Sequence, residues 1–190
     1  ITTNISSIKS SNISGDKNIY GIHCVEEWAY LALGFGIVKL DLSRQEVKDT
    51  YIIGDGGNYA KVKDVATDGN KIYAALENGI KEADLNNAFL VDYTQWTSRI
   101  DLPRSGMNVS HIELFEDKLF IANQNSFFND DSLYAYNGAL WEIDNSESGK
   151  DIFGLRSEKG KLIVTHRSSV ALLNGLNDRF ENLYNYGGNF

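Results

Sequence analysis

The 190-residue chain holds one cysteine, one proline and one methionine. A lone Cys24 can form no internal disulfide and no cysteine-ligated zinc site. With Pro103 as the single proline, turns must rest on Gly, Asn and Asp. Basic residues are scarce: Lys+Arg 18 against Asp+Glu 26 leaves a net charge of −8. That balance argues against a reader of phosphate backbones, whose affinity rests on Lys and Arg, and equally against a binder of anionic membranes. Long apolar runs are missing too. The longest, WAYLALGFGIV at 28–38, is broken by two glycines and falls far short of a membrane span. No secretory signal pattern opens the chain, whose first residue is Ile1, so it reads as a processed protein or a piece of a longer one.

What is present is a globular composition, 42% hydrophobic and 23% charged, long enough for one ordinary domain with a core. It is also repetitive. NIYGIHCVEEWAYLAL (18–33), KVKDVATDGNKIYAAL (61–76), NVSHIELFEDKLFIAN (108–123) and DIFGLRSEKGKLIVTH (151–166) align without gaps, at offsets of 43, 47 and 43 residues. One column reads Ile19, Val62, Val109, Ile152, and a second Ile22, Val65, Ile112, Leu155. A third reads Tyr30, Tyr73, Phe120, Ile163, and a fourth Ala32, Ala75, Ala122, Thr165.

Each unit reads as strands. Segment 27–33 is apolar on both alternating faces, as in a sheet held between neighbours. Turn residues separate the first two strands at 26–27, 68–70, 116–117 and 159–160. Third strands follow at 36–42, 79–85, 132–136 and 169–173, and fourth strands at 46–54, 93–100, 139–144 and 179–187. Four antiparallel strands recurring at this period predict a β-propeller blade. The small residues of the fourth column suit blades that converge on an axis. The fold class expected is therefore all-β: a propeller segment of about four blades, at 16–58, 59–106, 107–149 and 150–190. Residues 1–15 read as the outer strand and loop of a preceding blade. Helix should be nearly absent, with room for one helical turn in 83–96. Because four blades rarely close a ring, the chain reads as an arc of a larger propeller. It would then self-associate through its end blades, or else close tightly as a four-blade ring.

The runs 12–57, with GFGIVKLDL, and 62–96, with ENGIKEADL, resemble the N-terminal propeller of the PorZ-type component of the bacterial type IX secretion system. NDDSLYAYNGALWEI (129–143) and KGKLIVTHRSSVALLN (159–174) continue the likeness. The resemblance implies a protein at the outer-membrane surface or periplasm of a Bacteroidetes bacterium. It implies cooperation with a sortase that anchors cargo to lipopolysaccharide. This chain would be about half of the first propeller, and its function non-enzymatic protein–protein contact within a secretion and attachment apparatus. A second family, the sensor propellers of hybrid two-component regulators that bind carbohydrate or peptide, is similar in style. There this chain carries IYAALENGI (72–80) without the Trp-x-Gly-Thr core of that repeat. The N-x-S triplets at Asn4, Asn12 and Asn108 matter only in a eukaryotic secretory route, to which the resemblance does not point.

No catalytic motif, phosphate loop or metal-ligand spacing is visible, and neither a cofactor nor a metal is expected. His23, His111 and His166 fall on different repeats. Two polar columns alternate with the Ile22 column: Gly21, Asp64, His111, Gly154 and His23, Ala66, Glu113, Arg156. Asp64, His111, Glu113 and Arg156 are the candidates for a channel wall or a pocket for a ligand such as a glycan. Asp41 and Asp84 recur once per repeat, which points to a turn or an interblade bond. The long loop 123–132 adds Phe127, Phe128, Asp130 and Asp131 to the face that carries loops 54–60 and 101–108. It is the candidate partner-docking loop, and its paired acids are at most weak evidence for Ca²⁺. Trp28, Trp96 and Trp141 read as blade packing.

Overall fold

The computed structural model describes residues 8, 12–127, 130–176 and 178–185. The segment expected as an outer strand at 1–15 falls outside them except for residues 8 and 12–15. Two compact units divide the chain, Ile1–Ile100 and Asp101–Phe190.

The first unit holds two four-stranded sheets. One is β1 (Ile19–Val25), β2 (Trp28–Leu33), β3 (Gly36–Asp41) and β4 (Glu46–Tyr51). The other is β5 (Val62–Thr67), β6 (Lys71–Leu76), β7 (Gly79–Asp84) and β8 (Thr97–Ser98). In the second unit the sheets are β9 (Val109–Phe115) to β12 (Trp141–Asp144) and β13 (Ile152–Glu158) to β16 (Glu181–Asn185). Between them lie β10 (Lys118–Asn123), β11 (Ser132–Tyr136), β14 (Lys161–His166) and β15 (Ser169–Leu173). Every pairing is between consecutive strands and antiparallel. The fold is all-β, built of four propeller blades with one sheet per repeat. Among the described residues helix is limited to Ile8 and the short 3-10 turns Asp55–Gly57 and Tyr93–Gln95, the second inside the predicted 83–96 window.

The repeat columns are packing positions. In the first unit Tyr30, Ala32 and Tyr51 of one blade meet Val65, Ile72 and Trp96 of the next in one buried cluster. The Tyr51 and Trp96 rings lie 5.9 Å apart, and Trp96 Nε1 donates to the Leu90 carbonyl at 2.9 Å. In the second unit Phe120 and Ala122 meet Leu155, Leu162 and Val164 in the same register. The other tryptophans are half-buried: Lys39 Nζ sits 4.0 Å over the Trp28 ring, and Trp141 packs against Tyr136 at 5.0 Å.

Two features were not visible in the sequence pattern. Each first strand skips one residue in its pairing, at Tyr20, Lys63, Ser110 and Phe153. A bulge re-aims the residues that follow it, so the inner edge of every blade bends at the same place. The fourth strand of the second blade is also shorter than the 93–100 expected. Asp92 accepts the Thr94 N–H at 2.9 Å and winds 93–95 into a turn, which leaves Thr97–Ser98 to pair. A local side-chain cap competes here with the ladder and wins.

Asp41 and Asp84 are turn caps. Asp41 accepts from Ser43 Oγ at 2.7 Å and from the Arg44 N–H at 2.8 Å, and Asp84 accepts the Asn86 N–H at 2.9 Å. Asp144 repeats the device on the Ser146 N–H at 2.8 Å.

Candidate functional site

The polar inner-strand positions fall into two groups, one per unit. In the first, Asp64 is fully buried and accepts the Val65 N–H at 3.0 Å. Gly21 of the neighbouring strand lies against it; a Cβ there would stand 2.6 Å from Asp64 Oδ1. His23 Nε2 lies 3.0 Å from Thr67 Oγ1 and so joins β1 to β5. In the second unit Glu113 is buried, accepts from Ser157 Oγ at 2.9 Å and pairs with Arg156 Nη1 at 3.5 Å. His111 is two positions from Glu113 on the same strand.

His23 with Thr67 and Glu113 with Ser157 are the same pair of repeat positions in successive blades. A polar stitch between inner strands thus recurs in each unit. The structure brings Glu113 and Arg156 together; Asp64 belongs to the other unit.

The docking-loop candidate is the β10–β11 connection. Phe127 is 78% exposed and Asp130 is exposed, while Phe128 lies outside the described residues. Asp131 is not a free carboxylate. It is buried, with Oδ1 taking the Asn125 N–H and Oδ2 the Ile152 N–H, both at 2.9 Å. Gly149 N–H donates to its carbonyl at 2.8 Å. Asp131 therefore ties Asn125 to the start of the next blade. No group of three His, Cys, Asp or Glu able to hold a metal occurs among the described residues.

Beside this loop lies a group the sequence reading missed. His166 ends β14 at a repeat position held by Leu33 and Leu76 in the first two blades and by Asn123 in the third. The departure from leucine was the signal available. His166 Nε2 lies 2.7 Å from Glu147 Oε2, with both side chains 3% exposed. Because a carboxylate only accepts, the ring proton sits on Nε2. Lys150 Nζ donates to the same oxygen at 3.0 Å. A cleft of about 310 Å³ opens against Lys150, His166, Arg167 and Ser169. His166 Nδ1 is buried with no hydrogen-bond partner among the described residues.

Burial of the Glu147 carboxyl works against its charge, but the bonds from His166 and Lys150 outweigh it and hold its pKa below the ordinary 4.5. A carboxyl with a depressed folded-state value stabilises the fold above its unfolded value, and that contribution is lost as pH falls through the folded one. Chemical denaturation between pH 6 and pH 3 should therefore show stability falling below about pH 4.5. Glu147→Gln should flatten this dependence and cost about 2 kcal/mol at pH 7, as expected for a bond to a charged group. Parallel pH profiles for variant and parent would refute the assignment.

The model of the PorZ N-terminal β-propeller domain of the type IX secretion system (TSS9) matches residues 1–97, half of the chain. The chain belongs to the PorZ N-terminal propeller family. Among solved structures, PorZ of Porphyromonas gingivalis is similar over 96% of this chain, at 20% identity and TM-score 0.75. That protein is described as an essential bacterial surface component of the type IX secretion system. The extracellular domain of a B. thetaiotaomicron protein assigned to a hybrid two-component system is similar over 88%, at 13% identity and TM-score 0.57. A chain of a nidogen–laminin complex is similar over 88%, at 19% identity and TM-score 0.63. At these identities the likeness is one of fold. This chain spans 23% of the PorZ chain and 22% of the two-component protein's chain. No curated protein matches it. No described helix of this PorZ-family chain is long and apolar enough to cross a membrane.

Proposed function

We propose that this chain is part of a non-enzymatic propeller scaffold that holds protein partners at a bacterial cell surface, within a type IX secretion and attachment apparatus. Membership of the PorZ N-terminal propeller family carries the reading. The blades run at 16–58, 59–106, 107–149 and 150–190, and the β10–β11 loop is the docking element. Phe127, 78% exposed on this loop, offers the large apolar anchor that interface cores use. Half-exposed Ile19 and Ile22 on the first blade supply the surface for association through an end blade. Phe127→Ser should reduce co-purification of the sortase component of the same secretion system at least tenfold, with the melting temperature unchanged. Equal recovery with the variant would remove this loop as the docking face.

The two-component neighbour favours a second reading, a sensor propeller that takes a glycan or peptide. Its pocket would use Glu113 and Arg156 of the second unit, with His111 on the strand of Glu113. The stitches made by Glu113 support the scaffold reading over this one, because they commit its carboxylate to holding adjacent blades.

A further inference from the structure

The third strand of each blade carries Val38, Lys81, Tyr134 or Ala171 at one repeat position. Register makes them equivalent: they pair with Leu31, Ala74, Ile121 and Val164. Val38 and Ala171 belong to apolar clusters. Lys81 is also buried, at 7% exposure, so the second blade sets an ammonium where its neighbours set apolar side chains. A buried ammonium is unfavourable unless paired. A local rule broken in this way, inside an otherwise consistent repeat, marks a position kept for something other than packing.

The partner of Lys81 has an unusual origin. Lys81 Nζ donates to Asp55 Oδ1 at 2.6 Å, yet the Asp55 side chain is 89% exposed. Asp55 stands on the Asp55–Gly57 turn between the two blades, where Gly56 (φ 66°) and Gly57 (φ 77°) leave the backbone easy to re-aim. The Lys81 bond holds the Asp55 carboxyl below its ordinary pKa, so it is charged at neutral pH. Both residues line a cleft of about 360 Å³ with Tyr59, Lys61 and Glu77. Lys61 and Lys63 reach Glu77 at 3.5 and 3.9 Å. Within the lining Lys61 and Lys81 balance Asp55 and Glu77, so a carboxylate that displaces Asp55 leaves the charge of the site unchanged.

We propose that this cleft is a carboxylate-binding site in which Asp55 is the resident occupant and an acidic side chain of a partner peptide is the ligand. Asp55 already sets a carboxylate on the Lys81 ammonium from the rim of the cleft, and an incoming one replaces it charge for charge. A single ammonium at the floor suits one carboxylate oxygen; the flat fork that favours phosphate is absent from its lining. The volume, at the low end for ligand pockets, admits one acidic residue with its flanking backbone.

The test titrates the full chain with Ac-Gly-Asp-Gly-NH2, its Asn counterpart and acetate, and follows ¹H–¹⁵N shifts around Lys81. The Asp peptide should move the resonances of residues 54–61 and 76–81, and the Asn peptide should not. Asp55→Asn removes the internal competitor on an exposed side chain. It should tighten the Asp peptide about tenfold, because the competent state is no longer masked. Lys81→Met keeps a long chain in the apolar column and should abolish binding; should that variant not fold, the Asp55→Asn arm decides alone. Phe127→Ser should leave the affinity unchanged, which separates this site from the docking loop. Equal shifts with the Asp and Asn peptides, unchanged affinity in Asp55→Asn, or acetate binding as tightly as the peptide would each overturn the proposal.

Discussion

Phe120→Ala and Leu155→Ala should each cost about 3–4 kcal/mol of unfolding free energy, whereas Ile163→Ala and Ile22→Ala should each cost under about 1.5 kcal/mol. The comparison is between equivalent repeat positions: Phe120 with Ile163, and Leu155 with Ile22. Phe120 is 3% exposed and Leu155 1%, and both sit in one cluster between the blades of the second unit. Removing either side chain empties space lined by Ala122, Leu162 and Val164, and close-packed neighbours relax into it only in part. Ile22 is 49% exposed and Ile163 half-buried, so water already meets them and little is lost. Guanidinium denaturation of the four variants, read by tryptophan fluorescence and far-UV circular dichroism, checks this. Equal costs at all four positions would mean that the columns are not interblade contacts at all. The double variant Phe120→Ala/Leu155→Ala should fall short of additivity, because the two residues share one cluster.

Gly36→Ala should cost about 3–5 kcal/mol, the sum of backbone strain and forced displacement. Gly36 opens β3 with φ at +146°, and an added Cβ would lie 2.1 Å from the Tyr51 carbonyl oxygen. That atom is backbone, in a residue paired with Ile37 in the sheet, so no side-chain rotation relieves the contact. Gly79 occupies the same position in the second blade with φ at +132°. The third and fourth blades carry Ser132 and Ser169 there, so the requirement belongs to the first unit. Gly69→Ala is the internal control: its φ is +86°, but nothing lies within 4 Å of an added Cβ. It should cost about 1–2 kcal/mol, the conformational part alone. If Gly36→Ala costs no more than Gly69→Ala in the same denaturation experiment, the close approach to Tyr51 is not what selects glycine.

The strands were legible because the forces behind them are local. Alternation along 28–33 and 71–76, with short turns between, needs only the two-residue period of an extended chain and a few turn residues. Where a local interaction competes with that period, the pattern misleads: the Asp92 cap took 93–95 out of the expected strand. Partners distant along the chain were illegible for a different reason. Glu147 meets His166 across 19 residues and Lys81 meets Asp55 across 26, with nothing in either segment alone to announce the other. The paired acids of the long loop looked alike in sequence, yet Asp130 is exposed and Asp131 is buried on two backbone N–H groups.

By itself the sequence determined the all-β class, the fourfold recurrence and which positions of each repeat are apolar, since hydrophobic alternation and turn chemistry act between near neighbours. Only the tertiary structure decided which polar residues stand together. Burial makes an unpaired charge untenable, and the partner that satisfies it is whichever group the packed blades bring within about 3 Å.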